Sequence, residues 1–478
     1  MIVGELRHGQ LTIIDRIRET ARLAEGLSDK GDLLPDARAR ALRCLSIFGE
    51  RLRDMHAASV RAAGTSTIRR AREDTGFMAE AEAALGHPIE IISGIEEARL
   101  IYNGVTHSLP RNDGLRLVLD IGGGSTELIL GQGAKPLALE SLHLGCVAMT
   151  ERFFPDGRIT REAFDKARVA ARLELRPVKK FFRDADGVEA IGTSGTIISA
   201  ERAANALDIA DRDLTLSAVE GLIERVLDFE TIKSLALPGL SERRAQVWPG
   251  GLSILAELIG VLRIDTLCVS DGALREGLLY DLLGRMQHED ARERTVRAMA
   301  TRYNVDQRQS ERVSSTARIL LRQSMDAWKL TSPFAESMLN WAARLHEIGL
   351  DISHDGYQRH GAYVAENADM PGFPRAEQRF MAFLIASQRH EIDSDYMRAL
   401  PQAWRASALR LVLLLRLAVL LNRSRNEVEM PPIALAVDDR SLELHFDAEW
   451  LQSNPLTVAD LDREKGHLDS VGYALAYR

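Results

Sequence analysis

Residues 115–131 read LRLVLDIGGGSTELILG, and this stretch limits the fold more sharply than any other. Alternating apolar residues run up to three glycines and resume after them, which is the pattern of strand, tight turn, strand. Gly122, Gly123 and Gly124 permit positive φ and remove every Cβ from one edge, so successive N–H groups can close around an anion. Phosphate is the natural occupant. Asp120 ends the first strand and Glu127 begins the second. Two carboxylates can face an anion only with a cation between them, and Mg2+ takes its ligands from carboxylate and phosphate oxygens. A bare glycine turn would account for the glycines but not for the acids at both ends. A P-loop would need Gly-Lys-Ser/Thr entering a helix, and a dinucleotide fingerprint would need glycine at position 127; neither is present.

Three other segments accompany this turn. VEAIGTSGTIISAERAA (188–204) reads as a strand passing through Gly192, Thr193, Ser194 and Gly195 into a helix, whose free N–H groups form a second phosphate site. In IEIISGIEEARLIYNGV (89–105), Ser93 and Glu96 have the spacing of a capping box, which folds Glu96 back on the helix start. Glu97 is then unexplained: it is either a solvated acid near a helix N-terminus or a general base directed at the phosphate. VRAAGTSTIRRARE (60–73) places Arg69, Arg70 and Arg72 in the first turns of a helix, where the macrodipole disfavours them. A bound anion would relieve that conflict, as Glu73 and Asp74 would in part. In TLCVSDGALREGLLYDLL, Asp271 reads as an N-cap.

With 478 residues the chain should form about three or four units of roughly 100–200 residues each. Strand and helix patterns alternate to about residue 285, an α/β region; 288–425 has helical periodicity and almost no strand signal; a Pro-marked linker then leads to a hairpin turning at DDRS (438–441). The most apolar stretch, ALRLVLLLRLAVLL (408–421), is shorter than the ~20 residues of a membrane span and carries Arg410 and Arg416, so it reads as a buried helix. No leader pattern is found, and Cys44, Cys146 and Cys268 have no metal or disulfide spacing, so a cytoplasmic protein with core cysteines is expected. A net charge of −8 argues against general nucleic-acid binding. A polyanion would have to be held locally, and arginines cluster at 69–72, at 243–244 and at 405, 410, 416, 423 and 425.

The ordered motifs GTSTIRRARE, SGIEEARLIYNGV, LVLDIGGGSTELILG, GTSGTIIS, WPGGLSIL and VSDGALREGLLYDLL make the chain resemble the exopolyphosphatase and guanosine pentaphosphate phosphohydrolase (Ppx/GppA) family over essentially its whole length. The resemblance implies an α/β plus all-α protein. Two ribonuclease-H-like lobes of the actin and sugar-kinase type (1–102 and 103–287) would be followed by an HD-like helical domain (288–425) and a small α+β C-terminal domain (426–478). Family members open with a strand and loop of the type Asp-Leu-Gly-Ser-Asn-Ser-Phe-Arg, and MIVGEL corresponds to the segment just after that loop. The implied activity is release of terminal phosphate from inorganic polyphosphate, hydrolysis of pppGpp to ppGpp, or both, by a homodimer. Carried over position by position, Glu97 matches the residue that activates water and Asp120 and Glu127 match the Mg2+ positions. Arg69 matches a phosphate-contacting arginine. Gly122, Gly123, Gly124, Ser125 and Thr126 match the phosphate loop, and Gly192, Thr193, Ser194, Gly195 and Thr196 the second loop.

The helical region departs from a working HD site, because the pair is His346-Glu347. His354, His360 and His390 lie near it in sequence and read as lining a phosphate path or packing the domain rather than as metal ligands. HEIGL is not a zinc-protease motif, since position 350 is Leu. Two rival functions stay open on these residues: a polyphosphate or alarmone sensor that binds without turnover, and a kinase-like phosphotransferase of the same fold.

Overall fold

Two short ladders precede the glycine hairpin. β1 (Ile2–Arg7) and β2 (Gln10–Arg16) pair antiparallel, and β3 (Ala62–Gly64) and β4 (Ile89–Ile91) pair parallel. Next come β5 (Leu115–Ile121), β6 (Thr126–Gln132), β7 (Lys135–Leu142), β8 (Glu189–Thr193) and β9 (Leu267–Val269), which form one sheet in the order β7-β6-β5-β8-β9. In this computed structural model the described residues are all of 1–478 except 8–9, 20, 22, 24–25, 28–31, 72–74, 110–111, 113, 183–187, 211–212, 287–290 and 426–431. Arg72, Glu73 and Asp74 therefore lie outside the described residues, as do residues flanking the expected junctions at 287/288 and 425/426.

The chain divides into two compact units, Met1–Glu289 and Asp290–Arg478. In the first, β5, β6 and β7 are antiparallel neighbours, while β8 and β9 run parallel to β5. That is the strand order of a ribonuclease-H-like sheet. Parallel neighbours need a crossover, and helices Ser194–Ala206, Leu216–Leu227 and Trp248–Leu262 lie between β8 and β9. β5 reads as an almost unbroken apolar run because both its faces are covered. Val118 packs with Ala98, Ile101 and Val105 of helix Gly94–Ser108, while Leu117, Leu119 and Ile121 face the larger core that includes Trp248 and Leu252. The same order is not completed ahead of it: β1–β2 and β3–β4 stay separate ladders, with no described strand between β2 and β3. The expected lobe junction at 102/103 falls inside helix Gly94–Ser108.

That helix is locked to helix Leu274–Met286 by mutual glycine contacts: a Cβ on Gly277 would lie 1.8 Å from the Leu100 carbonyl oxygen, and one on Gly104 would lie 2.1 Å from that of Ala273. In the second unit, helices Gln307–Ser324, Pro333–Leu345, Arg375–Ala386 and Gln402–Leu421 share one core. Helix Gln402–Leu421 is the apolar segment of the sequence, and its buried Arg416 is satisfied by Glu464 and by the carbonyls of Ser387 and His390. The expected hairpin is β10 (Ala434–Asp438) with β11 (Ser441–His445), closed at Asp438 and Ser441; β12 (Ala474–Tyr477) adds parallel to β11. Among the described residues no helix is long and apolar enough to cross a membrane.

Candidate active site

Asp120 and Glu127 stand directly opposite one another in the β5–β6 ladder, and opposed residues present their side chains on the same face. Both are buried. None of Gly122, Gly123 and Gly124 takes positive φ, which corrects the conformational reason given for them. Close approach constrains two of them and a neighbour: a Cβ on Gly122 would lie 3.0 Å from the Ser125 carbonyl oxygen, one on Gly124 2.9 Å from Ser66 Oγ, and one on the neighbouring Gly145 2.3 Å from the Gly123 carbonyl oxygen, whereas one on Gly123 would make only an ordinary contact with Val147 at 3.4 Å. The Gly122 N–H donates to the Ser125 carbonyl at 2.8 Å, while the Gly122 and Gly123 carbonyls accept from Cys146 and Val147 at the start of helix Cys146–Phe153. The N–H groups of Gly123, Gly124 and Ser125 are left without an acceptor among the described residues. The Thr126 hydroxyl buttresses the loop, donating to the Leu144 carbonyl.

Helix Gly94–Ser108 delivers Glu97. Ser93 Oγ accepts from the Glu96 N–H at 3.1 Å, as a capping residue should. The Glu96 carboxylate does not fold back, which corrects the capping-box expectation. Fully buried, it needs charged partners, and it takes two hydrogen bonds from Arg99 with Arg61 3.6 Å away, while Asp281 bridges both arginines. Glu97 instead pairs with Arg69, Nη1 to Oε2 at 2.9 Å, and Arg69 also donates to the Ile92 carbonyl. Arg69 and Arg70 occupy the last turn of the short helix Ser66–Arg70 rather than the first turns of a longer one. The expected conflict with the macrodipole is therefore absent, because that end favours positive charge. What recommends Arg69 is its contact with Glu97.

Electrostatics tie the acids together. Burial foremost, then the Glu97 charge, pushes the Asp120 carboxyl up to about 7 against the pull of Arg244. Burial, Glu97 and Asp120 raise Glu127 well above its ordinary range, although Ser125 and Ser141 donate to it. Burial raises Glu97 too, opposed by Arg69. An all-oxygen, charge-excess donor set of this kind suits a hard divalent cation. Among the described residues no group of three or more His, Cys, Asp or Glu side chains converges closely enough to hold an ion by itself. Asp120 and Glu127 would hold Mg2+ only with phosphate oxygens and water completing its shell, as Mg2+ commonly binds.

The second loop lies across the same cavity. β8 passes into helix Ser194–Ala206 through Ser194 at φ 86°, a strained conformation for a residue with a Cβ. The Thr193 hydroxyl donates to the Gly272 carbonyl, and Thr196 is buried. Gly195 is bare because Arg244 lies over it: a Cβ there would be 1.6 Å from Arg244 Nη2. A cavity of 390 Å³ is lined by Gly122, Gly123, Ser194, Gly195, Arg243 and Arg244, so both glycine turns and the second arginine pair share one space. Sequence reasoning left Arg243 and Arg244 as one cluster among several. Asp271, expected as an N-cap, is exposed; Ser270 Oγ accepts from the Gly272 N–H and Glu276 from the Ala273 N–H in its place.

Buried acids beside two glycine turns, on a ribonuclease-H-like sheet, are the arrangement of the actin-like class of phosphoryl-handling enzymes. Comparison with known proteins makes this more particular. The model described as Ppx/GppA phosphatase family matches residues 2–286, and that for Ppx/GppA phosphatase, domain III, matches 291–465. The chain belongs to the Ppx/GppA phosphatase family. It is 38% identical over 480 residues to a guanosine-5'-triphosphate,3'-diphosphate pyrophosphatase of Vibrio cholerae, covering 100% of this chain and 95% of that one. It is 37% identical over 478 residues to the like-named protein of Vibrio atlanticus, covering 99% and 95%. Among solved structures it is similar to an exopolyphosphatase from Cytophaga hutchinsonii, with TM-score 0.54 and 24% identity over 59% of this chain and 93% of that one.

Proposed function

We propose that the chain hydrolyses terminal phosphoanhydride bonds, releasing phosphate from inorganic polyphosphate, from pppGpp to give ppGpp, or from both. The observation that carries this reading is the convergence of Glu97 with the Asp120–Glu127 pair beside a loop of unpartnered N–H groups. A terminal phosphoryl group repels any nucleophile, so catalysis must neutralise charge and align the attack. The N–H groups of Gly123, Gly124 and Ser125 hold the terminal phosphate, with Arg69 on one side and Arg244 and the 192–196 loop on the other. Each well-aimed donor of this kind contributes about 10²–10³ in rate. Asp120 and Glu127 would hold Mg2+, which when bound would supply charge neutralisation to the phosphate oxygens. Glu97 takes the proton from an in-line water: burial strengthens it as a base, and Arg69 fixes its orientation.

The names of the Vibrio relatives favour pppGpp. A long polyphosphate chain would in turn gain from a second cationic surface that keeps it tethered between cuts. The reading carries with it lobes at 1–102 and 103–287, an HD-like domain at 288–425, a C-terminal domain at 426–478, and a cytoplasmic homodimer. Phosphate release from pppGpp and from long polyphosphate, assayed on the full chain with and without Mg2+, tests it. Mg2+-dependent release from at least one of the two is expected; transfer of phosphate to an acceptor with none released, or binding without turnover, would overturn it.

A further inference from the structure

The second unit contains a cavity of about 190 Å³, lined by residues from Gln309 to Arg425, none of which belongs to the candidate active site. Its two ends differ. Arg423 and Arg425 line it with 45% and 44% of their side chains exposed, so they stand at the mouth, where Arg423 donates one N–H to Asp460 and Arg425 one to Asp306. Arg389 joins them; it donates to the Tyr357 hydroxyl and lies over that ring, and it has no ion pair among the described residues. Deep inside are His346, 1% exposed, and Glu347, 6% exposed.

The deep end accepts hydrogen bonds. His346 Nδ1 lies 2.7 Å from the Ala343 carbonyl oxygen and must be the donor there. Burial keeps the ring neutral, its pKa lowered to about 4, so Nε2 carries a lone pair. Glu347 spends Oε1 on Arg425, while its Oε2 is buried with no hydrogen-bond partner among the described residues. A buried acceptor left unsatisfied costs about 1–3 kcal/mol, more when charged, and a ligand that brings a donor removes that cost. Simple polyphosphate fails this requirement, since at neutral pH its bridging and internal oxygens only accept.

The geometry points to a binding site for a phosphorylated small molecule whose phosphate meets Arg389 and Arg423 at the mouth and whose other end gives N–H or O–H donors to Glu347 Oε2 and His346 Nε2 inside. A guanine edge and a ribose diol both meet that description, and the test separates them. Hydrogen exchange on the full chain, read by peptide, is followed with guanosine 5'-monophosphate, ribose 5-phosphate or sodium tripolyphosphate added in turn. Protection of segments 346–357 and 419–425 by either organic phosphate is expected. Protection by the nucleotide alone assigns the guanine edge, and protection by ribose 5-phosphate assigns the sugar. Glu347→Gln should weaken binding by about tenfold or more, and Arg389→Ala combined with Arg423→Ala should abolish it. Leu350→Trp, which fills the cavity without changing charge, should also abolish it while exchange elsewhere in the unit stays as in the parent. Protection by tripolyphosphate that survives Glu347→Gln, or no protection by either organic phosphate, overturns the assignment. Exchange at residues 120–127 reports the first unit separately, so either result leaves the hydrolase reading standing.

Discussion

Replacing Glu97 with glutamine preserves the side-chain shape and an oxygen that accepts from Arg69, but removes the base. The expected loss in kcat for phosphate release is about 10²–10⁴, with KM within a few-fold of the parent; steady-state rates that stay near the parent would remove Glu97 from its role. Asp120 gives a prediction that does not depend on turnover. Its folded pKa of about 7 lies above the ordinary 3.8, so the folded state holds a proton that the unfolded state has lost. The corresponding stability is complete below about pH 4 and is lost as pH rises through 7, a change of about 4 kcal/mol in order of magnitude. Without divalent ions at pH 8, Asp120→Asn should therefore raise the melting temperature of the first unit. Mg2+ should raise that of the parent protein and leave the variant's almost unchanged, which calorimetry would show.

Helix Gly94–Ser108 carries Glu97 at one end and presses Gly104 and Leu100 against helix Leu274–Met286 along its length. Gly277→Ala puts a methyl group against the Leu100 carbonyl, where backbone must move. Overpacking of this sort costs about 1–3 kcal/mol, so a lower unfolding midpoint by chemical denaturation is expected, together with reduced kcat from the shifted helix start. How far such elements could be read in the sequence depended on whether their causes were local. The glycine hairpin, the turn into helix Ser194–Ala206 and the DDRS hairpin were legible because turn chemistry sits within a few residues. The partners of Glu96 and Glu97 were not, since Asp281 and Arg69 approach from far along the chain. Nor could sequence place Arg244 over Gly195, because only folding brings position 244 to position 195. β7 also escaped notice, its alternation interrupted by Pro136 and by charged residues.

At the scale of the whole molecule, the two units should answer acid differently. His346 in the second unit has a folded pKa of about 4, below its ordinary 6.5, so the folded state binds fewer protons than the unfolded one. Its contribution is present above pH 6.5 and is lost as pH falls toward 4, about 3 kcal/mol in all. Glu347 beside it is shifted upward and offsets part of this. Between pH 6.5 and 4 the second unit should melt progressively earlier, and His346→Gln should flatten that slope in a calorimetric series. The pairing of Asp120 with Glu127 across β5 and β6 bears on the chain as a whole. Side chains alternate along a strand, so one residue added between the two acids, with the turn held at its present length, would swing Glu127 into the apolar interior and bring Thr126 round in its stead. A lookalike with that insertion would keep the same silhouette yet be chemically mute, so counting residues between the two acids is enough to separate working relatives from inert ones.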